Sequence, residues 1–227
     1  NYDLIHSSRG IIPIQFWNKK PWVIDMEHVH SFFGLNPHLI KNKFLKRFIE
    51  KKLESKYCKK ILCHCEATRQ AFFHFLDCEK FKDKIEVLYP SSHISSFTRE
   101  PHKKIRILAI MSIFYGKAGI QVLKVFSKIQ KEYPDVEFWI RADVPEELKK
   151  KTKLKNVKYM NYFGNIIPRE DLIRSVYAKC DIFFYPTLVD SFGYSSIDAM
   201  TTRLPIVSTN LYAIPEIVRD GENGIIV

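Results

Sequence analysis

The sequence predicts a parallel α/β protein built in two lobes. Three observations carry this. Short apolar runs alternate with stretches of helical spacing along the chain; a polar, proline-containing segment at 91–103 separates two such groups; and the alternation ends in a strand, a glycine loop and a helix in direct succession. Such alternation reads as parallel strands joined by covering helices.

In order, a first strand is expected at 3–6, then strands at 22–25, 61–65 and 85–88, with helices at 39–57 and 68–76. Within 39–57 the apolar residues Leu45, Phe48, Ile49, Leu53 and Tyr57 recur at helical spacing. The boundary falls in 91–103, giving a first lobe of residues 1–95 and a second of 96–227, with the active cleft expected between them. Second-lobe strands are expected at 105–110, 136–140, 157–159, 181–185, 205–208 and 224–227. Helices are expected at 119–132, 145–151, 169–178 and 195–202.

Composition narrows the function. At 227 residues and 46% hydrophobic, the chain can build one large or two small cores. It holds no run of 18 apolar residues, and its first residues lack the basic-then-apolar layout of a signal peptide, so a cytoplasmic protein is expected. The chain opens without methionine inside one expected strand and stops inside another, so both ends are expected to be cut. Cys58, Cys63, His64, Cys65, His74 and Cys78 are rich in metal-ligand types. Their spacing is not that of paired zinc ligands, and reduced structural thiols are expected, with no metal. Cys63 and Cys65 are expected on one strand face.

A net charge of +11 asks for an anionic partner. Lys41, Lys43, Lys46, Arg47, Lys51, Lys52, Lys56, Lys59 and Lys60 punctuate the apolar stripe of the helix expected at 39–57. Two readings stay open: a solvated helix face, or docking on an anionic membrane, peripheral at its inner face. No nucleic-acid module is recognised and the basic residues are spread widely, so no nucleic-acid partner is expected.

The richest segment is the end of the second lobe. The apolar run closing at Tyr185 is stopped by Pro186; Asp190 lies in the following loop, and Ile197, Met200 and Leu204 keep helical spacing. Ser195 is a candidate N-cap with Asp198 three residues on, which places Asp198 in the first helical turn. A strand, a glycine loop and a helix N-terminus bring main-chain N–H groups to a strand's carboxyl edge, where phosphates bind. Ionised Asp190 and Asp198 beside such a site accept hydrogen bonds only, which suits sugar and ribose hydroxyls. The alternative is that Asp198 completes a capping box and Asp190 decorates a loop.

Pro186, Asp190, Phe192, Gly193, Asp198, Ala199, Met200, Pro205 and Val207, followed by Pro215, Glu216, Ile217, Val218, Asp220, Gly221 and Gly224, stand at fixed spacing. The pattern resembles the donor-binding half of glycosyltransferase family 4, the retaining GT-B glycosyltransferases. That resemblance implies two Rossmann-like lobes, the first incomplete here. It implies transfer of a sugar from a nucleotide-diphosphate sugar to a glycan or lipid-linked acceptor, with retention and with neither metal nor cofactor.

The resemblance also assigns residues. Sugar-donor binding falls to Ser112, Lys117, Asp190, Ser191, Phe192, Gly193, Tyr194 and Asp198, with Lys117 at the diphosphate, and catalysis to His28 and Asp190. Residues 165–168 correspond to a loop that meets the nucleotide base. If the strand near Trp22 continues, His30 shares the parity of His28. Departures are Met111 and Ser112 where the family has Gly-Arg, Asp where it has Glu, Arg203 for Gly, and Tyr212-Ala213 for a Gly pair. Arg141 is a candidate substitute for the missing arginine. A nucleotide-sugar epimerase and a non-catalytic nucleotide-sugar-binding relative or fragment are the alternative functions.

Overall fold

The computed structural model describes residues 2–13, 15, 19–34, 36, 38–93, 101–164 and 166–227. It divides into two compact units, Asn1–Ser91 and Ser92–Val227. Residues 94–100 of the expected boundary segment, and Asn165 of the expected base-contacting loop, lie outside the described residues.

The first unit holds β1 (Ile5–Ser8), β2 (Trp22–Met26), β3 (Cys58–Cys63) and β4 (Ile85–Val87) in one parallel sheet of that order. Helix α1 (Lys43–Glu54) joins β2 to β3, and α2 (Glu66–Phe75) joins β3 to β4. Alternation along β2 buries Trp22, Ile24 and Met26. With Phe33, Phe72 and Phe81 they form a core in which each fully buried large side chain contributes roughly 1.5–3 kcal/mol.

Several expected boundaries move, each for a local reason. The first strand sits at 5–8 rather than 3–6, where pairing of Ile5 with Trp22 sets its register. The long helix expected at 39–57 breaks into a 3-10 turn, Leu39–Lys41, and α1, because Asn42 turns its side chain to accept the Leu45 N–H at 3.0 Å. The strand expected at 61–65 ends at Cys63. Cys65 leaves it to cap α2, its Sγ accepting the Thr68 N–H at 3.3 Å, so the two thiols do not share a strand face.

The second unit holds β5 (Arg106–Ile110), α3 (Gly119–Glu132), β6 (Glu137–Arg141), α4 (Glu146–Thr152), β7 (Val157–Met160), α5 (Arg169–Ser175), β8 (Ile182–Tyr185), α6 (Tyr194–Thr201), β9 (Ile206–Ser208), α7 (Ile214–Ile217) and β10 (Gly224–Ile226). Its six strands form a parallel sheet ordered β10-β9-β8-β5-β6-β7. Central strand β5 is buried on both faces, as a parallel strand under helices requires. Phe126 of α3 stacks on Phe138 of β6 with ring centroids 4.5 Å apart.

Helix α6 corrects one expectation. Its N-cap is Gly193, at φ 97°, with no side-chain cap, so Ser195 is inside the helix and Asp198 is beyond its first turn. No capping box forms. The capping alternative for Asp198 is thereby removed.

Candidate functional site

The strand order of the second sheet reverses between β5 and β8: the chain winds outward through β6 and β7 from one, and through β9 and β10 from the other. At such a switch point the loops leaving the two strands diverge and open a crevice at their carboxyl ends. Here those loops run through 111–118 and 186–193. They are tied together where the Gly116 carbonyl accepts the N–H groups of Leu188 and Val189, at 3.2 and 3.1 Å.

Each loop delivers one charge to this junction. The Lys117 ammonium lies 3.0 Å from Oδ2 of Asp190, with both side chains largely buried. The Tyr185 hydroxyl at the end of β8 donates to the same oxygen, and the Ser191 N–H donates to Oδ1 at 2.8 Å. Lys117 also sits 5.4 Å from the centre of the Tyr185 ring. Burial, then the Asp190 charge, pushes ionisation of Tyr185 far above its ordinary range, so the phenol stays a hydrogen-bond donor. Asp190 is held as an oriented acceptor with a cation at its side. A ligand anion can compete for Lys117 while ligand hydroxyls compete for Asp190.

Asp198 is placed separately, on the inner side of α6. It accepts from Nε of Arg169 at 2.8 Å and from that guanidinium's Nη2. Burial raises its ionisation range, and Arg169 opposes the rise. Phe192 is buried and meets half-exposed Tyr194 edge to face, with centroids 5.2 Å apart. Between them the backbone favours glycine: Gly193 has φ 97°, which L side chains rarely adopt, and a Cβ there would stand 2.8 Å from Ile214 Cδ1. Ser112 lies on the same loop as Lys117, one residue past Met111, whose N–H extends the ladder to the Arg141 carbonyl at 2.9 Å. Arg141 itself is buried under Tyr162, its guanidinium 5.0 Å from the ring centre.

Where the family pattern has glycines at 203 and 212, the backbone keeps a glycine-like path without them. Arg203 has φ 58° and Tyr212 φ 48°, both in the left-handed region. Ala118, directly after Lys117, has φ 58° as well. Each such residue costs on the order of 1 kcal/mol.

In the first unit, β2 ends at Met26, so strand parity does not extend to His28 and His30. His28 instead caps a 3-10 turn, Val29–Phe33, its Nδ1 accepting the His30 N–H at 3.0 Å. The two rings lie 4.2 Å apart. Burial, and secondarily the charge of His30, lowers the His28 pKa to about 4, which keeps it neutral near pH 7. Burial also lowers that of His30. All five cysteines are buried and none is in a disulfide, and burial raises Cys58 to about 11 and Cys63 and Cys78 to about 12, which keeps those three as protonated thiols. Among the described residues no group of three or more His, Cys, Asp or Glu is arranged to hold a metal ion.

Tyr185, Arg169 and Asp25 are absent from the sequence-derived set. Asp25 bridges His6 at 2.7 Å and His64 at 3.3 Å near the end of β2. Arg169 carried a usable signal: a cation at the first position of a helix opposes the helix dipole and asks for an anionic partner. Asp25 carried none, because its partners lie on other segments, and Tyr185 carried none, because its bond to Asp190 depends on how the loop after β8 folds back.

Comparison with known proteins places this geometry in context. The profile of the family described as glycosyl transferases group 1 matches residues 104–227, which is 124 of the 227 residues. The phosphatidylinositol N-acetylglucosaminyltransferase gpi3 subunit of Schizosaccharomyces pombe is 24% identical over 200 residues, 83% of this chain. The chain spans 41% of that relative's length. Among solved structures, sucrose-phosphate synthase from Thermosynechococcus elongatus superposes with TM-score 0.73 at 12% identity, covering all of this chain and 60% of its own. Anabaena HepE in complex with UDP gives TM-score 0.69 at 15% identity, over 92% of this chain and 58% of that one.

Proposed function

The chain belongs to the glycosyl transferases group 1 family and has the GT-B fold of two parallel α/β units; from that premise we propose that it transfers a sugar from a nucleotide-diphosphate sugar to an acceptor. The observation that carries this reading is the Lys117–Asp190 pair at the switch point of the second sheet. Lys117, with the N-terminus of α6, offsets negative charge gathering on the leaving diphosphate, so no metal is required. Asp190 takes sugar hydroxyls in exchange for Lys117, and Asp198 takes ribose hydroxyls in exchange for Arg169. Ser112, Ser191, Phe192, Gly193 and Tyr194 complete the sugar-donor site. Transfer proceeds with retention, by front-face attack in which the leaving phosphate takes the acceptor proton. Neutral His28 hydrogen-bonds the transferred sugar or the acceptor.

A lipid-linked acceptor is supported by the name of the yeast relative, which specifies phosphatidylinositol, and a glycan acceptor remains the alternative. The HepE complex makes UDP-sugars the first candidates. We place the protein in the cytoplasm, peripheral at the inner membrane face; among the described residues no helix is long and apolar enough to cross a membrane. A second reading, nucleotide-sugar binding without turnover, is favoured by Ser112 standing in place of the family's arginine. Incubation with UDP-, GDP- and ADP-sugars and a lipid or glycan acceptor, followed by mass spectrometry, decides between them. Free nucleoside diphosphate with a new glycoside is expected. Bound but unconsumed nucleotide sugar supports the second reading, and no binding of any sugar donor overturns both.

A further inference from the structure

The first unit carries a second surface whose composition the sugar-donor site does not explain. Helix α1 satisfies its apolar contacts with Ile49 and Leu53, both buried in the core. Phe44 and Phe48, four residues apart and therefore on one helix face, are left 91% and 51% exposed. Single exposed apolar side chains are ordinary, but an aromatic pair on one face of a strongly basic helix is not. Segment 41–60 holds nine Lys or Arg against two Glu. Both carboxylates are turned from the aromatic face: Glu50 is buried and accepts the Asp77 N–H at 3.0 Å, and Glu54 pairs with Arg47 at 3.2 Å. Lys41, Lys43 and Lys51 are exposed, and the Lys52 ammonium lies 5.3 Å from the centre of the Phe48 ring.

We infer that α1 seats the protein on an anionic lipid bilayer, Phe44 and Phe48 entering the boundary between headgroups and acyl chains while the surrounding lysines meet lipid phosphates. The inference rests on the peripheral placement proposed above and is independent of the transfer chemistry. Charge complementarity selects the occupant: an apolar protein groove has no use for this many lysines, and a polyanion in water leaves Phe44 exposed. A bilayer with acidic headgroups satisfies both at once, because the aromatic rings leave water at the depth where the ammonium groups reach phosphate.

Co-sedimentation of the full chain with vesicles tests this in the absence of any sugar donor, so the outcome is separate from that of the transfer assay. Binding is expected to vesicles of phosphatidylcholine mixed with phosphatidylserine and not to phosphatidylcholine alone, and added salt should weaken it. The exposed-site variants Phe44→Ser/Phe48→Ser and Lys43→Ala/Lys51→Ala should each lower partitioning on the order of tenfold or more, with unchanged circular dichroism. Equal binding to both vesicle types overturns the inference. So does undiminished binding of the Phe44→Ser/Phe48→Ser variant, or retention on heparin with no vesicle binding.

Discussion

The two sheets settle their polar groups in opposite ways. In the second unit each carboxylate of the candidate site faces a cation: Asp190 faces Lys117 and Asp198 faces Arg169. In the first unit, His28 and His30 lie ring against ring, and burial holds them uncharged. Opposed charges suit a site that must exchange partners with a charged, hydroxyl-rich ligand, since each protein pair can be traded for two ligand contacts of similar strength. A neutral imidazole suits a hydrogen bond to a hydroxyl or carbonyl without attracting anions.

Substitution at Lys117 should separate the two units most sharply. Lys117→Ala removes the cation proposed to meet the diphosphate, and nucleotide-sugar affinity measured by calorimetry should fall roughly 10- to 100-fold. His28→Ala should lower that affinity far less and act chiefly on the rate of transfer. Because Lys117 and Asp190 are in contact, combining Lys117→Ala with Asp190→Asn should cost less than the sum of the two separately. Equal loss of sugar-donor affinity in Lys117→Ala and His28→Ala would erase the contrast drawn above.

Acid provides a smaller and oppositely signed probe. The folded pKa of His28 is lowered from 6.5 to about 4, so across that window the unfolded chain binds more protons and the first unit loses stability as pH falls. Asp198 is shifted upward, so its contribution runs the other way: it favours the fold at low pH and is lost as pH rises through its folded pKa. Hydrogen exchange resolved by segment should therefore show first-unit protection declining between pH 6.5 and about 4, with His28→Gln flattening the decline. The same slope in wild type and variant would remove His28 as its source.

The smallest effect concerns the left-handed residues. Arg203→Gly and Tyr212→Gly, at φ 58° and 48°, should each stabilise the second unit by about 0.5–1 kcal/mol in denaturant unfolding, relief of strain exceeding the added freedom of the unfolded chain. Destabilisation by either would mean that its side chain supplies packing worth more than the strain.

These contrasts also explain what was legible in the sequence. The parallel α/β class and the strand–glycine–helix segment were readable because alternation, Pro186 and Gly193 impose local backbone rules. Gly193 in particular announced a backbone conformation that L side chains rarely adopt. Asp190 and Asp198 stood out by spacing, but the mistaken cap at Ser195 shows the limit of local reading: Gly193 starts the helix two residues earlier. Arg169 and the Asp25 bridge depend on contacts between distant segments, and the Tyr185–Asp190 bond on how the loop after β8 folds back, neither of which periodicity encodes. The break at Asn42 was written in a capping residue that the continuing helical spacing masked. Phe48 counted as part of an apolar stripe in sequence, and only packing revealed that Ile49 and Leu53 took the core and left it outside.

The central claim is that Asp190 and Asp198 are handles on a nucleotide-diphosphate sugar. Titration calorimetry of the full chain with UDP-, GDP- and ADP-sugars, repeated on Asp190→Asn and Asp198→Asn, measures this directly. The account predicts that at least one sugar donor binds and that each substitution weakens it roughly 10- to 100-fold, the worth of a charge-assisted hydrogen bond. Unchanged affinity in both variants would contradict it.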